Sequence, residues 1–423
     1  MKIVSVVGAR PNFMKIAPFI KAIEEYNRQF VSHSVSSRST THGLSDHSSQ
    51  GPSAAQPHAS SLSGVTHLLV HTGQHYDDRM SKAFFEALNI PEADINLGIG
   101  SGTHAEQVGN TMIAFEKVLM REKPDWVIVL GDVNATLACS VTAKKLHIKV
   151  CHIEAGLRSG DEKMPEEINR LVTDRLSDLL LTPDTISIGN LRKEGVPEQK
   201  IKFVGNIMID TLEANRDKAA GLDITGIIEK NLISGQTLPP SGLFVTSSQS
   251  SSSGGRFAIM TMHRPSNVDH KDVLVPLIAF LTEEVTRDMP LIWPIHPRAQ
   301  KQLQNFRLWD KVLNNERLIL LHPVGYHEML RLNMDAAIML TDSGGLQEEC
   351  TVLGTPCLTL RWNTERPVTL REHGGASVLV GNNVERIRKE YHDTLASETK
   401  PVRPELWDGH TAERCLKVIL EEE

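Results

Sequence analysis

No apolar run in the 423 residues reaches 18, the length a bilayer-spanning helix needs, so no membrane span is expected. Cysteine is scarce. Five are scattered along the chain without a CxxC pair, which argues against a disulfide framework or a thiolate zinc site and fits a reducing cytosol. Positive charge is not in excess: 45 basic residues face 52 acidic ones, a net −7 that argues against a general nucleic-acid binder. The opening MKIVSVVGARPNFMK has a short apolar run, but Arg10, Pro11, Asn12 and Lys15 end it too soon for a signal peptide. What is present fits a cytoplasmic globular protein: 40% hydrophobic and 23% charged, with length for two or three domains.

Two stretches differ from the rest. Residues 31–64 are rich in Ser, His and Gly, and residues 234–255 end in TSSQSSSSGG. Neither can bury enough apolar surface to order itself, so both are expected to be flexible surface insertions. The four histidines of the first read better as solvated than as metal ligands. Elsewhere short apolar runs alternate with amphipathic ones, the pattern of parallel α/β sheets. KIVSVV (2–7), THLLVHT (66–72), WVIVLG (126–131), KVCHIEA (149–155) and DLLLTP (178–183) form one series of expected strands. RFAIMTM (256–262), LIWPIH (291–296), LILLHPV (318–324), AAIMLTD (336–342) and PCLTLR (356–361) form a second. Two βαβ halves follow, 1–206 and 207–395, with a C-terminal segment 396–423 whose AERCLKVILEEE reads as a helix.

Polar residues gather where these strands end. Gly8–Asn12 and Lys15 follow the first, and Asp132, then Glu154 with Arg158, follow later ones. In the second half come His263-Arg264, His296 with Arg298, and Asp342-Ser343-Gly344-Gly345. Open α/β sheets bind ligands beyond the carboxyl ends of their strands. Ser343-Gly344-Gly345 before a helix could cradle a phosphate through backbone N–H groups, or could simply be a capped helix start. Glu166 and Glu167 read either as acid–base groups or as a solvated first helical turn closed by Arg170. Glu348 reads as a first-turn cap. GIGSGTH (98–104) fails the dinucleotide pattern GxGxxG, because Thr103 takes the last glycine's place.

GARPNFMK (8–15), TGQH (72–75), GD (131–132), HIEAGLRS (152–159), PEEINR (165–170), TDSGGLQEE (341–349) and TERP (364–367) occur in this order. Together they resemble the non-hydrolysing UDP-N-acetylglucosamine 2-epimerases. The resemblance implies an α/β GT-B-like fold: two Rossmann-like domains facing a central cleft, with a C-terminal helix crossing back to the first domain. It also implies a homodimer, a UDP-sugar substrate and no cofactor or metal. By the same resemblance, Asp132, Glu154 and Glu166 match catalytic carboxylates. His263 matches a histidine that contacts the diphosphate and serves catalysis. Arg10 and Lys15 match positions near the phosphates, Ser343 and Gly344 the diphosphate cradle, Glu349 an acceptor for ribose hydroxyls, and Arg366 an arginine of the nucleotide-sugar site. HRPSN (263–267) departs from the frequent HRRE, and GSGTH (100–104) lacks the arginine of relatives that substrate activates. The alternatives left open are a hydrolysing epimerase, an epimerase of UDP-2,3-diacetamido-glucuronic acid, a GT-B glycosyltransferase and a nucleotide-sugar sensor.

Overall fold

The computed structural model describes residues 1–8, 10–38, 64–73, 88, 90–237, 257–397 and 400–422, with backbone alone at 10, 11 and 31–38. Most of both Ser-rich stretches, Gln74 and His75, and the side chain of Arg10 lie outside the described residues.

Two wholly parallel sheets organise the chain. The first contains β1 (Lys2–Val7), β2 (Thr66–His71), β3 (Ile95–Asn96), β4 (Trp126–Leu130), β5 (Lys149–Ile153), β6 (Leu179–Thr182) and β7 (Ile201–Phe203). The second contains β8 (Ala258–Thr261), β9 (Leu291–Pro294), β10 (Leu318–Leu321), β11 (Ile338–Thr341), β12 (Cys357–Thr359) and β13 (Ser377–Leu379). Their orders are β3-β2-β1-β4-β5-β6-β7 and β10-β9-β8-β11-β12-β13. Central strands such as WVIVL are buried at every position, as parallel strands covered by helices on both faces must be.

Each sheet reverses its winding once, between β1 and β4 in the first and between β8 and β11 in the second. Such reversals open a crevice at the strands' carboxyl ends. The segments that leave these four strands carry Gly8, Asn12 and Lys15, then Gly131 and Asp132, then residues 262–264 and residues 342–344. Topology therefore delivers the polar clusters to two crevices.

The helix Arg10–Arg38 continues past residue 31, where a flexible insertion was expected. A nucleated helix propagates at little cost per residue, even through weak helix formers. The Asn27 side chain then clasps Val65, donating to its carbonyl and accepting from its N–H, both at 2.8 Å. The chain that leaves after Asn27 thus returns to the same place.

The helix Thr411–Glu421 crosses back to the first half. Ala412, Cys415, Leu416 and Ile419 share one core with Phe13, Ile16 and Ile20. Trp407 is buried and donates from Nε1 to the Pro183 carbonyl at 2.9 Å. Asp210 accepts from the Thr411 and Ala412 N–H groups at 3.0 and 2.6 Å. Asp210 sits on the helix Ile207–Ala220, which begins at the junction of the halves. That helix buries Ile207, Ile209 and Leu212 in the first core and packs on the helices Tyr326–Asp335 and Gly344–Leu353 of the second half.

Candidate active site

Asn12 ties together the two turns at the first reversal. It accepts from Gly8 N–H at 3.2 Å and donates to the Leu130 carbonyl at 2.9 Å. One helical turn on, Lys15 reaches Glu154, and this ion pair is buried on both sides. Gly131 makes room for it: at φ 64°, a Cβ there would lie 2.9 Å from the Lys15 Nζ. Glu154 itself holds a left-handed φ of 71°, a strained conformation for a residue with a side chain.

Behind the pair, the buried Asp174 holds the surrounding loops. It contacts His152 Nδ1 at 2.6 Å, accepts from Gly156 N–H at 3.0 Å and pairs with Arg158 at 2.7 Å. His152 Nε2 in turn lies 2.8 Å from the Gly131 carbonyl. His152 and Arg158 therefore shape the site without facing it.

Asp132 pairs with Arg170 through Nε at 3.0 Å and Nη2 at 2.6 Å. Desolvation works to raise the Asp132 pKa, but Arg170, Lys15 and Arg366 outweigh it and hold it below the usual value. Glu167 is not the solvated helix-start acid that the sequence allowed. It is buried, accepts from Ser159 and Gly160 N–H at 3.0 and 2.9 Å, and pairs with Arg170. Glu166 stands half-buried at that helix start, with no hydrogen bond or ion pair among the described residues. GIGSGTH is a loop that ends in Thr103, which caps the helix His104–Glu122 reciprocally with Glu106.

In the second half, parallel register brings Thr261 of β8 beside Thr341 of β11. The next residues meet as well. Asp342 contacts His263 Nδ1 at 2.8 Å and accepts from Arg264 N–H at 2.8 Å and from Asn267 at 3.1 Å. Burial opposes ionisation of Asp342, but His263 and these donors hold its pKa below the ordinary value. The His263 ring stays 45% exposed, with Nε2 as its outer nitrogen. Asn267, part of the departure from HRRE, also donates to the Leu360 carbonyl at 3.0 Å. It braces the loop that carries His263.

Ser343 starts the helix Gly344–Leu353 without capping it by its side chain. A Cβ at Gly344 would lie 2.7 Å from Glu365 Oε1 and 2.8 Å from Arg366 Nη1, so the Glu365–Arg366 pair rests against this helix start. Glu365 also pairs with Arg361 at 2.6 Å. Burial favours the neutral acid, yet Arg366 and Arg361 drive the Glu365 pKa well below its usual value.

Glu348 departs from expectation: no acid occupies the first helical turn. Glu348 is the fifth helical residue, buried, and its Oε1 lies 2.7 Å from Arg366 Nε. Glu349 is buried beside Tyr326 and Asn333. Burial and then Glu348 push its pKa up to about 7.

The halves meet at Arg366, whose Nη2 is 3.6 Å from Glu154 Oε1. Lys15, Glu154, Arg366, Glu365 and Glu348 therefore form one buried, alternating charge network across the cleft, with Asp132 within its electrostatic reach. His263, Ser343 and Gly344 cluster at the second reversal. Glu166 lies within electrostatic reach of Arg264. Such a site combines cations for an anionic leaving group with carboxylates for proton transfer. The sequence assigned no ligand-binding or catalytic role to Arg170, Asp342 or Glu365, and Glu348 reads there only as a helix cap. The pairing of β8 with β11 could have pointed to Asp342, because it places that residue beside His263.

The chain is also similar to known proteins over most of its length. The family model described as UDP-N-acetylglucosamine 2-epimerase matches residues 59–420. A UDP-N-acetylglucosamine 2-epimerase of Methanocaldococcus jannaschii is 38% identical over 421 residues, 99% of each chain. A UDP-2,3-diacetamido-2,3-dideoxy-D-glucuronate 2-epimerase of Pseudomonas aeruginosa is 35% identical over 385 residues, 90% of this chain and 88% of that one. The crystal structure of the M. jannaschii UDP-GlcNAc 2-epimerase in complex with UDP-GlcNAc and UDP superposes with a TM-score of 0.78 at 36% identity, covering 100% of both chains. With two switch-point crevices, a cross-cleft charge network and these likenesses together, the chain belongs to the UDP-N-acetylglucosamine 2-epimerase family.

Proposed function

We propose that the protein interconverts UDP-N-acetylglucosamine and UDP-N-acetylmannosamine without net hydrolysis, by eliminating UDP and adding it back. The hydrogen on the acetamido-bearing carbon has no adjacent carbonyl to stabilise a carbanion. Expulsion of UDP solves this. The C2–H and C1–O bonds break, a C1–C2 double bond forms, and enzyme-bound 2-acetamidoglucal results. Return of a proton to the opposite face of C2 and of UDP to C1 completes the epimerisation. These bond changes balance without a redox cofactor or an obligatory metal.

The observation that carries this reading is the double pairing of Glu154 with Lys15 and Arg366, cations from opposite halves. A diphosphate entering the cleft competes for both cations and releases a buried carboxylate beside the sugar. Lys15, Arg10, Arg366, His263 and the Ser343–Gly344 helix start hold the diphosphate in this reading. Each such donor contributes on the order of a few kcal/mol to leaving-group stabilisation. Asp132, Glu154 and Glu166 divide proton transfer and stabilisation of positive charge on the ring. Glu349 accepts from the ribose hydroxyls. Domain closure keeps water from the glucal.

The test is incubation with UDP-N-acetylglucosamine in deuterated water, followed by NMR. UDP-N-acetylmannosamine deuterated at C2 supports the proposal. Free N-acetylmannosamine with UDP would overturn it in favour of hydrolysis. The P. aeruginosa relative favours a second reading, with UDP-2,3-diacetamido-glucuronic acid as substrate. Turnover of that sugar alone would establish it. The same proposal extends to a homodimer, and a monomeric mass by light scattering would count against that part.

A further inference from the structure

Glu348 has no part in the scheme above. Its Oε1 contacts two groups at once: Arg366 Nε at 2.7 Å and Asn206 Nδ2, which donates to it at 2.8 Å. Asn206 is the N-cap of the helix Ile207–Ala220, and its own Oδ1 accepts from Met208 N–H at 2.9 Å. That helix begins at the junction of the halves and packs on both. Arg366 is fixed on its other edges by Glu365 at Nη1 and by Glu154 at Nη2, 3.6 Å away. Glu348 thus determines where the back of the guanidinium sits, and Glu365 and Glu154 meet its front. All three acids, Asn206 and Arg366 are buried, so no water replaces a lost contact cheaply.

We infer that Glu348 is a positioning residue: it anchors the Nε edge of Arg366 to the interdomain junction through Asn206, so that Nη2 is aimed at Glu154. The inference rests on the proposed epimerase reading, in which Arg366 moves between Glu154 and the diphosphate. A guanidinium free to tilt would misplace the charge that the departing UDP needs. Misplacement of about 1 Å can cost on the order of 10²-fold in rate. What matters in Glu348 is the reach of one oxygen, which accepts from Asn206 and lies against the Nε edge of Arg366, more than its charge.

Two variants separate reach from charge. Glu348→Gln keeps an acceptor at the same distance and loses the charge. Glu348→Asp keeps the charge, but its chain, one methylene shorter, cannot span both Arg366 and Asn206. Deuterium incorporation in deuterated water at saturating UDP-N-acetylglucosamine measures the chemical step. Calorimetry with UDP measures binding. The Asp variant should fall at least about tenfold below the Gln variant in turnover, with UDP affinity changed by less than about threefold in either. The opposite order, Asp above Gln, would show that charge balance alone matters and overturn the inference. Equal turnover in the two, or a loss wholly in UDP affinity, overturns it too. Absence of exchange in the parent enzyme is a different result: it defeats the epimerase reading itself.

Discussion

Substitution of Gly344 by alanine tests how tightly the second-half site is built. The new Cβ would lie 2.7 Å from Glu365 Oε1, 2.8 Å from Arg366 Nη1 and 3.4 Å from Arg366 Cζ. The first two separations are shorter than van der Waals contact allows, so the charged groups must move by several tenths of an ångström. They cannot swing aside cheaply. Glu365 is paired with Arg361 and Arg366, and Arg366 with Glu348. Overpacking of this kind costs about 1–3 kcal/mol. Alanine also returns about 0.5–1 kcal/mol within a helix, because glycine loses more backbone entropy on folding. The net destabilisation then falls between about 0 and 2.5 kcal/mol. The catalytic loss should exceed it in consequence, because Arg366 is displaced: about 10- to 100-fold in kcat/KM for UDP-N-acetylglucosamine. Epimerisation is followed by NMR, with thermal unfolding as the stability control. Gly345→Ala is the matched stability control, since its Cβ would meet only Met208 Cε at 3.9 Å. It should not destabilise the fold. If Gly344→Ala retained kcat/KM within about threefold of the parent, the close packing of Arg366 on this helix start would be refuted as a functional requirement.

Glu154→Gln removes the acid that competes with the diphosphate for Lys15 and Arg366, so UDP affinity by calorimetry should be kept or raised while deuterium incorporation slows by about 10²-fold or more; normal incorporation would remove Glu154 from the proposed proton-transfer role. Glu349 links stability to pH: its pKa is about 7 in the folded protein against an ordinary 4.5. The folded state binds the extra proton, so this group makes stability fall as pH rises from about 4.5 to about 7, and above that window the loss is complete. Thermal melts of Glu349→Gln across the window should show a shallower decline than the parent, and parallel curves would contradict the buried-acid account. Trp407→Ala should cost about 3–5 kcal/mol by chemical denaturation. A chain ended at residue 396 should lose the first half's cooperative unfolding, because the C-terminal helix completes that core; an unchanged transition would disprove the dependence. Small-angle scattering should show contraction of the molecule at saturating UDP, and superposable profiles would argue against domain closure.

Ten of the thirteen strands among the described residues were legible in the sequence, because each carries a continuous apolar run between polar turns. β3, β7 and β13 were not: each is two or three residues long, although the equally short β12 is legible within PCLTLR. The helix Arg10–Arg38 outran its expected end, because helix propagation does not need the apolar pattern that sequence reading follows. Asp132, Glu154, Lys15 and Arg366 were picked out as chemistry-bearing from strand ends and ordered motifs, and the structure joins them in one charge environment. Glu348 was misread as a cap, because its neighbours Asn206 and Arg366 are 142 and 18 positions away, and local sequence contains no trace of that meeting. The sequence leaves Glu167 open between an acid–base group and a solvated acid, because the Ser159 and Gly160 N–H groups that it accepts from lie on a loop that folds back over the helix start.

By itself the sequence determined the alternation of strands and helices, the two halves and the residue types at strand ends. These follow from local hydrophobic pattern and turn chemistry. Tertiary structure alone decided which acids face the cleft and which brace it. That choice depends on desolvation and on cations supplied from distant segments, as Arg366 is to Glu154 and Arg170 to Asp132. It also decided that the last helix belongs to the first core. An amphipathic pattern states that a face must be buried and leaves open against what.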